Sequence, residues 1–231
     1  MNRPLVRRWL AEVAGTALLV GIGTGTVVAA GRLGGIPQSL MATAWFFAVL
    51  VPILFFIGTS GAHLNPVVTL ALALSGRIGW RAVPGYWASQ FAGAFVASGL
   101  VLGTLGGGSD LGATIPVRGS LMVDFAGEAA FTALLIAAVF VLADRGEGRF
   151  RWRLLLPPLV VGCSTYVIGP LTGSSLNPAR TVGPAVLSGA YSDIGLYLTV
   201  VPLAAIGVAV AWRPRAIGLA DRGAGRLASV R

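Results

Sequence analysis

The chain has 231 residues, is 55% hydrophobic and 11% charged, and has a mean hydropathy of +0.82; a soluble domain averages roughly 25% charged residues, so a water-covered globule is excluded and an integral membrane protein is indicated. Its net charge of +9 comes from 17 arginines and no lysine. That excess does not mark a nucleic-acid binder, because the arginines sit in alternate connections and at both ends, the positive-inside arrangement of a multi-pass protein.

Arg3, Arg7 and Arg8 precede the first predicted span, Trp9 to about Gly31. No small-residue cleavage site with a soluble domain behind it follows this run, so it reads as a retained span rather than a signal peptide. It carries Glu12, and a carboxylate inside an apolar span marks a functional or structural site. Arg32 to Gln38 is a short external turn. Ser39 to about Thr59 is the second span, interrupted by Pro52. The small, polar stretch from Ser60 to Leu64 leads to Asn65-Pro66 and an apolar run from Val67 to Leu74. That run is about half the ~20 residues needed to cross, so it is expected to enter the membrane and return.

Ser75 to Arg81 is a cytoplasmic link with Arg77 and Arg81, and Ala82 to about Leu105 is the third span. Gly106 to Val123 is a glycine-rich external connection. Asp124 to Ala143 is the fourth span, with Glu128 near its start. Asp144 to Arg153, holding Arg145, Arg149, Arg151 and Arg153, is cytoplasmic. Leu154 to Leu171 is the fifth span, and Asn177-Pro178 starts a second short helix through about Leu187. Ile194 to Trp212 is the sixth span, and a basic cytoplasmic tail, 213–231, closes the chain. The arginine distribution places both termini on the cytoplasmic side of a cell (plasma or inner) membrane, which an even number of spans allows. The polybasic ends suit anionic lipid headgroups, so the bilayer itself is a partner. The lone Cys163 allows no intrachain disulfide and no cysteine metal site, and no cofactor or metal is expected.

The two halves match. Ala11-Glu12-Val13-Ala14 aligns with Gly127-Glu128-Ala129-Ala130, and Asn65-Pro66 recurs at Asn177-Pro178, 112 residues on. Each half, about 9–105 and 124–212, reads as span with Glu, span, Asn-Pro half-helix, span. Three spans per half turn the second copy upside down. The expectation is one channel domain over 1–231: an all-α membrane protein of six transmembrane helices and two re-entrant half-helices in an inverted repeat. In such folds broken helices meet near the midplane and build the transport site.

Asn before Pro is a strong helix start. The asparagine oxygen caps the first-turn N–H groups, and proline is favoured at the first helical position. The asparagine NH2 then faces outward as a donor. One such pair is readily explained as a plain loop-to-helix cap; two at symmetric positions bring Asn65 and Asn177 together, with two positive helix ends that repel cations.

The stretches Ser60-Gly61-Ala62-His63-Leu64-Asn65-Pro66-Val67 and Asn177-Pro178-Ala179-Arg180-Thr181 resemble the paired signatures of the aquaporin (major intrinsic protein) family. The resemblance covers about residues 9 to 212. It implies an aquaporin-like fold, a homotetramer with one pore per subunit, and a constriction at Asn65, Pro66, Val67, Asn177, Pro178 and Ala179, with Val67 where the family more commonly has Ala. It also implies an outer filter of four positions: Arg180, Ser174, and by spacing Trp45 and Thr165. Trp45 facing lipid is the alternative reading of that spacing. Strict water channels of the family usually carry His where this chain has Thr165, so a wider opening is implied. This ring resembles that of the nodulin-26-like group, which conducts glycerol and uncharged metalloid hydroxides such as arsenous or boric acid. Glycerol facilitators, however, usually have Asp where this chain has Thr181.

His63 either lines the cytoplasmic half of the pore or holds its loop. Glu12 and Glu128 resemble buried glutamates that accept from half-helix loop N–H groups, a proton relay being the alternative. The leading expectation is a passive channel for water and small uncharged solutes, not an enzyme. A water-selective channel and an ion-coupled secondary transporter are the competing readings.

Overall fold

The structure is a computed structural model that describes residues 3–117, 120–144, 151–191 and 193–228. Arg145 and Arg149, which enter the charge reading of the topology, lie outside the described residues. Among the described residues the regular secondary structure is all helical. Helix α1 is Arg3–Arg32, α2 Gln38–Phe56, α3 Pro66–Leu74 and α4 Val83–Leu105. The second half repeats this order with α5 Leu121–Ala143, a broken segment made of α6 Leu156–Val167 and α7 Gly169–Thr172, α8 Pro178–Ser188 and α9 Ile194–Ala228. The short helices α3 and α8 are the two expected half-helices.

Among the described residues five segments are each long and apolar enough to cross a membrane by themselves: Leu5–Arg32, Gln38–Phe56, Trp80–Leu105, Leu121–Ala143 and Ile194–Trp212. The fifth crossing differs from the single helix expected over Leu154 to Leu171. A turn over Arg151–Leu155 leads into α6, which is only 12 residues long. It stops at Ile168 (φ −106°, ψ −12°) before α7. Pro170 explains the break, since it lacks the N–H that would continue the ladder and restricts Gly169 before it.

The halves interlock. Half-helix α3 packs on α9 of the other half, and α8 packs on α4. The α1–α4 crossing is so close that a Cβ on Gly93 would lie 2.3 Å from the Val13 carbonyl oxygen. At the α4–α8 crossing, a Cβ on Gly183 would meet the Ala94 oxygen at 2.9 Å. Small residues that let backbones touch are the means by which membrane helices associate without a hydrophobic drive. The polar residues are turned inward: Glu12, Gln90 and Glu128 are fully buried, whereas Phe55, Leu100 and Leu203 on the outer faces are each more than half exposed. This distribution suits an apolar solvent outside and a polar path within.

Candidate functional site

The site is built from two loops and the helices they start. Asn65 is in extended conformation (φ −156°), and its side-chain oxygen accepts from the Val67 N–H at 3.0 Å. Asn177 (φ −151°) caps α8 in the same way, accepting from Ala179 N–H at 2.9 Å and Arg180 N–H at 3.4 Å. Pro66 and Pro178 occupy the first helical positions. The asparagine amides are not simply turned outward. Asn65 Nδ2 donates to the Leu176 carbonyl at 2.8 Å, and Asn177 Nδ2 donates to the Leu64 carbonyl at 2.9 Å. Each half-helix is thus tied to the opposite loop. An amide NH2 carries two hydrogens, so one remains for the cavity that both asparagines line.

The loops before the asparagines are strained in the same pattern. Ala62 (φ 48°) and Leu64 (φ 55°) are left-handed, as are Ser174 (φ 47°) and Leu176 (φ 52°). Each such non-glycine residue costs about 1–2 kcal/mol. The buried glutamates offset that cost by taking the loop N–H groups. Glu12 accepts from the Ser60 hydroxyl at 2.6 Å, His63 N–H at 3.0 Å, Leu64 N–H at 2.8 Å and Gln90 Nε2 at 2.8 Å. Glu128 accepts from the Thr172 hydroxyl at 2.7 Å, Ser175 N–H at 2.9 Å and Leu176 N–H at 3.1 Å. Tyr86 and Tyr197 complete the parallel, their hydroxyls donating to the Ser60 and Thr172 carbonyls.

His63 is equally explicit. Its Nδ1 lies 3.1 Å from the Thr69 hydroxyl, and its ring stacks on Tyr86 at 4.4 Å. Ser175, 112 residues later, makes the matching contact to Thr181 at 2.5 Å. His63 also lines the cavity, so it both holds the loop and faces the path.

One cavity of about 360 Å³ joins these parts. Trp45, Ser174 and Arg180 line one end, Asn65 and Asn177 the middle, and Arg77, Ala143 and Pro157 the other end. Between them the wall is largely apolar, with Leu19, Val49, Ile53, Val68, Leu135 and Val161. Trp45 is buried, and the Arg180 guanidinium sits over its ring at 4.5 Å; this rules out the lipid-facing alternative. Arg180 Nη1 donates to the Gly112 carbonyl at 2.7 Å. Ser174 Oγ is 2.8 Å from Ser164 Oγ. Thr165 is buried next to that pair but is not among the cavity-lining residues; Gln38 Nε2 holds its carbonyl at 2.6 Å. Val67 is accommodated without crowding α8, in a cluster with Ile136, Val200 and Val201, whereas Ala179 packs with Leu19, Trp45 and Ala48.

Sequence reasoning did not reach Gly112. It ends a left-handed turn in which Ser109, Asp110 and Leu111 also have positive φ (50°, 47° and 54°). A Cβ on Gly112 would stand 3.1 Å from Thr24 Cα, so glycine is needed to bring this carbonyl to Arg180. Leu111 is buried and anchors the turn. Thr181 donates no charge here; it links Ser175 and Thr114, whose hydroxyl is 3.2 Å away. The offset of 112 residues pairs Ser60 with Thr172 and Thr69 with Thr181. That regularity is the signal by which these supporting hydroxyls were discoverable.

The family model described as major intrinsic protein matches residues 2–212. The chain is 35% identical to aquaporin NIP1-1 of Zea mays over 204 residues, 84% of this chain and 70% of that protein. It is 36% identical over 207 residues to the glycerol uptake facilitator protein of Pseudomonas aeruginosa, covering 78% and 73%. Among solved structures, the aquaglyceroporin from Plasmodium falciparum superposes with a TM-score of 0.76 at 28% identity, covering 91% of this chain and 94% of that one. The match runs from residue 2 to the end of the sixth crossing and the solved relative shares the architecture, so the chain belongs to the major intrinsic protein family.

Proposed function

We propose that the protein is a passive channel for water and small uncharged solutes such as glycerol, with neutral metalloid hydroxides (arsenous or boric acid) within its range. The observation that carries this is the placement of Asn65, Asn177 and Arg180 along one cavity whose wall is largely apolar. A neutral hydroxylated molecule accepts from these donors and passes. A cation meets two helix N-termini, each with about half a positive charge, and a guanidinium. Among the described residues no carboxylate lines the cavity. Glu12 and Glu128 are turned to the loops instead, which argues against an ion-coupled transporter and against a proton relay.

Trp45, Ser174 and Arg180, with Thr165 beside them, form the outer filter of this reading. The small side chains of Ser174 and Thr165 leave more room than an imidazole, and the Trp45 face suits a carbon backbone. The chain works as a homotetramer in the plasma or inner membrane with both ends cytoplasmic, a reading supported by the arginine distribution and by the family. Osmotic light scattering of reconstituted vesicles with glycerol, urea and arsenous acid tests the solute range. Shrinkage followed by re-swelling is expected with glycerol; shrinkage without re-swelling on every solute would leave a water-only channel.

A further inference from the structure

The cavity has a second arginine, at the end away from Arg180. Arg77 borders it together with Leu72, Ile78, Ala143 and Pro157. Its position is set by how α3 ends. Gly76 is left-handed (φ 75°), its N–H donates to the Ala73 carbonyl at 3.0 Å, and the Arg77 N–H donates to the Leu72 carbonyl at 2.8 Å. This is the Schellman stop, which glycine permits. A nine-residue helix, about 14 Å long at 1.5 Å per residue, therefore carries Asn65 at its start and Arg77 just past its end.

The last turn of α5 receives the guanidinium. Asp144 Oδ1 accepts from Arg77 Nε at 3.1 Å and from Nη2 at 2.5 Å. The Arg77 guanidinium carbon lies 4.4 Å from the Phe140 ring centroid. Asp144 is itself held: its Oδ2 accepts from Trp212 Nε1 of α9 at 3.3 Å, and its carbonyl accepts from Arg153 Nη1 at 3.0 Å. The Asp144 side chain is 41% exposed, and such a pair contributes little to stability. What it supplies is position. Among the described residues Arg77 Nη1 has no hydrogen-bond partner. Without Asp144 the other two nitrogens lose theirs as well, and the side chain turns into the polar path it already borders, where donors are satisfied.

We propose that Arg77, once released, closes the cytoplasmic mouth, and that Asp144 is its positioning residue, holding the guanidinium over the Phe140 ring and the mouth open. The assignment rests on the channel reading above. The test is glycerol and water permeability of vesicles holding equal amounts of the full chain, as wild type, Asp144→Ala, Arg77→Ala and the double variant. Asp144→Ala removes the oxygen that accepts from both Arg77 nitrogens and is expected to lower both permeabilities roughly three-fold or more, the loss produced when the released arm fills the mouth about two-thirds of the time. The same change has no effect in the Arg77→Ala background, so the double variant conducts like Arg77→Ala and faster than Asp144→Ala. Asp144→Ala that is slow in both backgrounds shows a merely structural role, and Asp144→Ala that is not slow beside Arg77 shows no arm to hold; either overturns the assignment while leaving the channel intact. Wild-type vesicles no more permeable than protein-free ones overturn the channel reading, and this assignment with it.

Discussion

Glu128→Gln keeps the size and shape of the side chain and replaces one acceptor oxygen with a donor. The amide oxygen can stay at Oε1, where it retains the Thr172 hydroxyl and the Ser175 N–H. The new NH2 then faces the Leu176 N–H, which now lies 3.1 Å from Oε2. A bond to a charged group is worth about 1.5–3 kcal/mol, and a buried donor left without a partner adds to the loss. The left-handed conformations of Ser174 and Leu176 also lose their support, so about 3 kcal/mol is expected in all. For a chain of this length each kcal/mol moves Tm by about 2–4 °C, giving a fall of about 6–12 °C. The assay is thermal unfolding of the detergent-solubilised protein, followed by intrinsic fluorescence. The glycerol-to-water permeability ratio is then read in vesicles, normalised to incorporated protein. The ratio is expected to hold, because Glu128 does not line the cavity. An unchanged Tm refutes the loop-support argument, and a stably folded variant that gains or loses pH-dependent flux would restore the proton-relay reading.

Thr165→His is expected to lower glycerol flux more than water flux, as seen by the same scattering assay; equal loss of both removes Thr165 from the filter. Arg180→Ala leaves the Gly112 carbonyl without its donor and takes the cation off the path. Cation conductance in planar bilayers should rise about tenfold or more, since ~1.4 kcal/mol of lost repulsion is already a factor of ten; an unchanged conductance assigns exclusion to the helix ends alone. Gly93→Ala drives a methyl to 2.3 Å from the Val13 carbonyl oxygen, and is expected to cost roughly 1–3 kcal/mol, read as a lower Tm. A neutral result would mean that α1 and α4 separate freely.

The short-range features were legible from residue order alone. Composition called for a bilayer. The Asn-Pro pairs, each before an apolar run too short to cross, marked the half-helices, because capping and proline placement act within one turn. The repeat at Glu12 and Glu128 paired the halves. What residue order left open were contacts between residues distant in sequence. Arg180 finds the Gly112 carbonyl 68 residues earlier, and each asparagine amide finds a carbonyl more than 110 residues away. A carbonyl has no side-chain signature, so nothing in the string announces that it will be an acceptor. The fifth crossing was read as a single helix because hydropathy continues across Ile168 to Pro170 even though the backbone ladder does not. Tertiary structure also assigned the glutamates to the loops, Trp45 to the path and Arg77 to Asp144. In each case several partners were chemically suitable, and only the interlocking of the two halves decided which one was within reach.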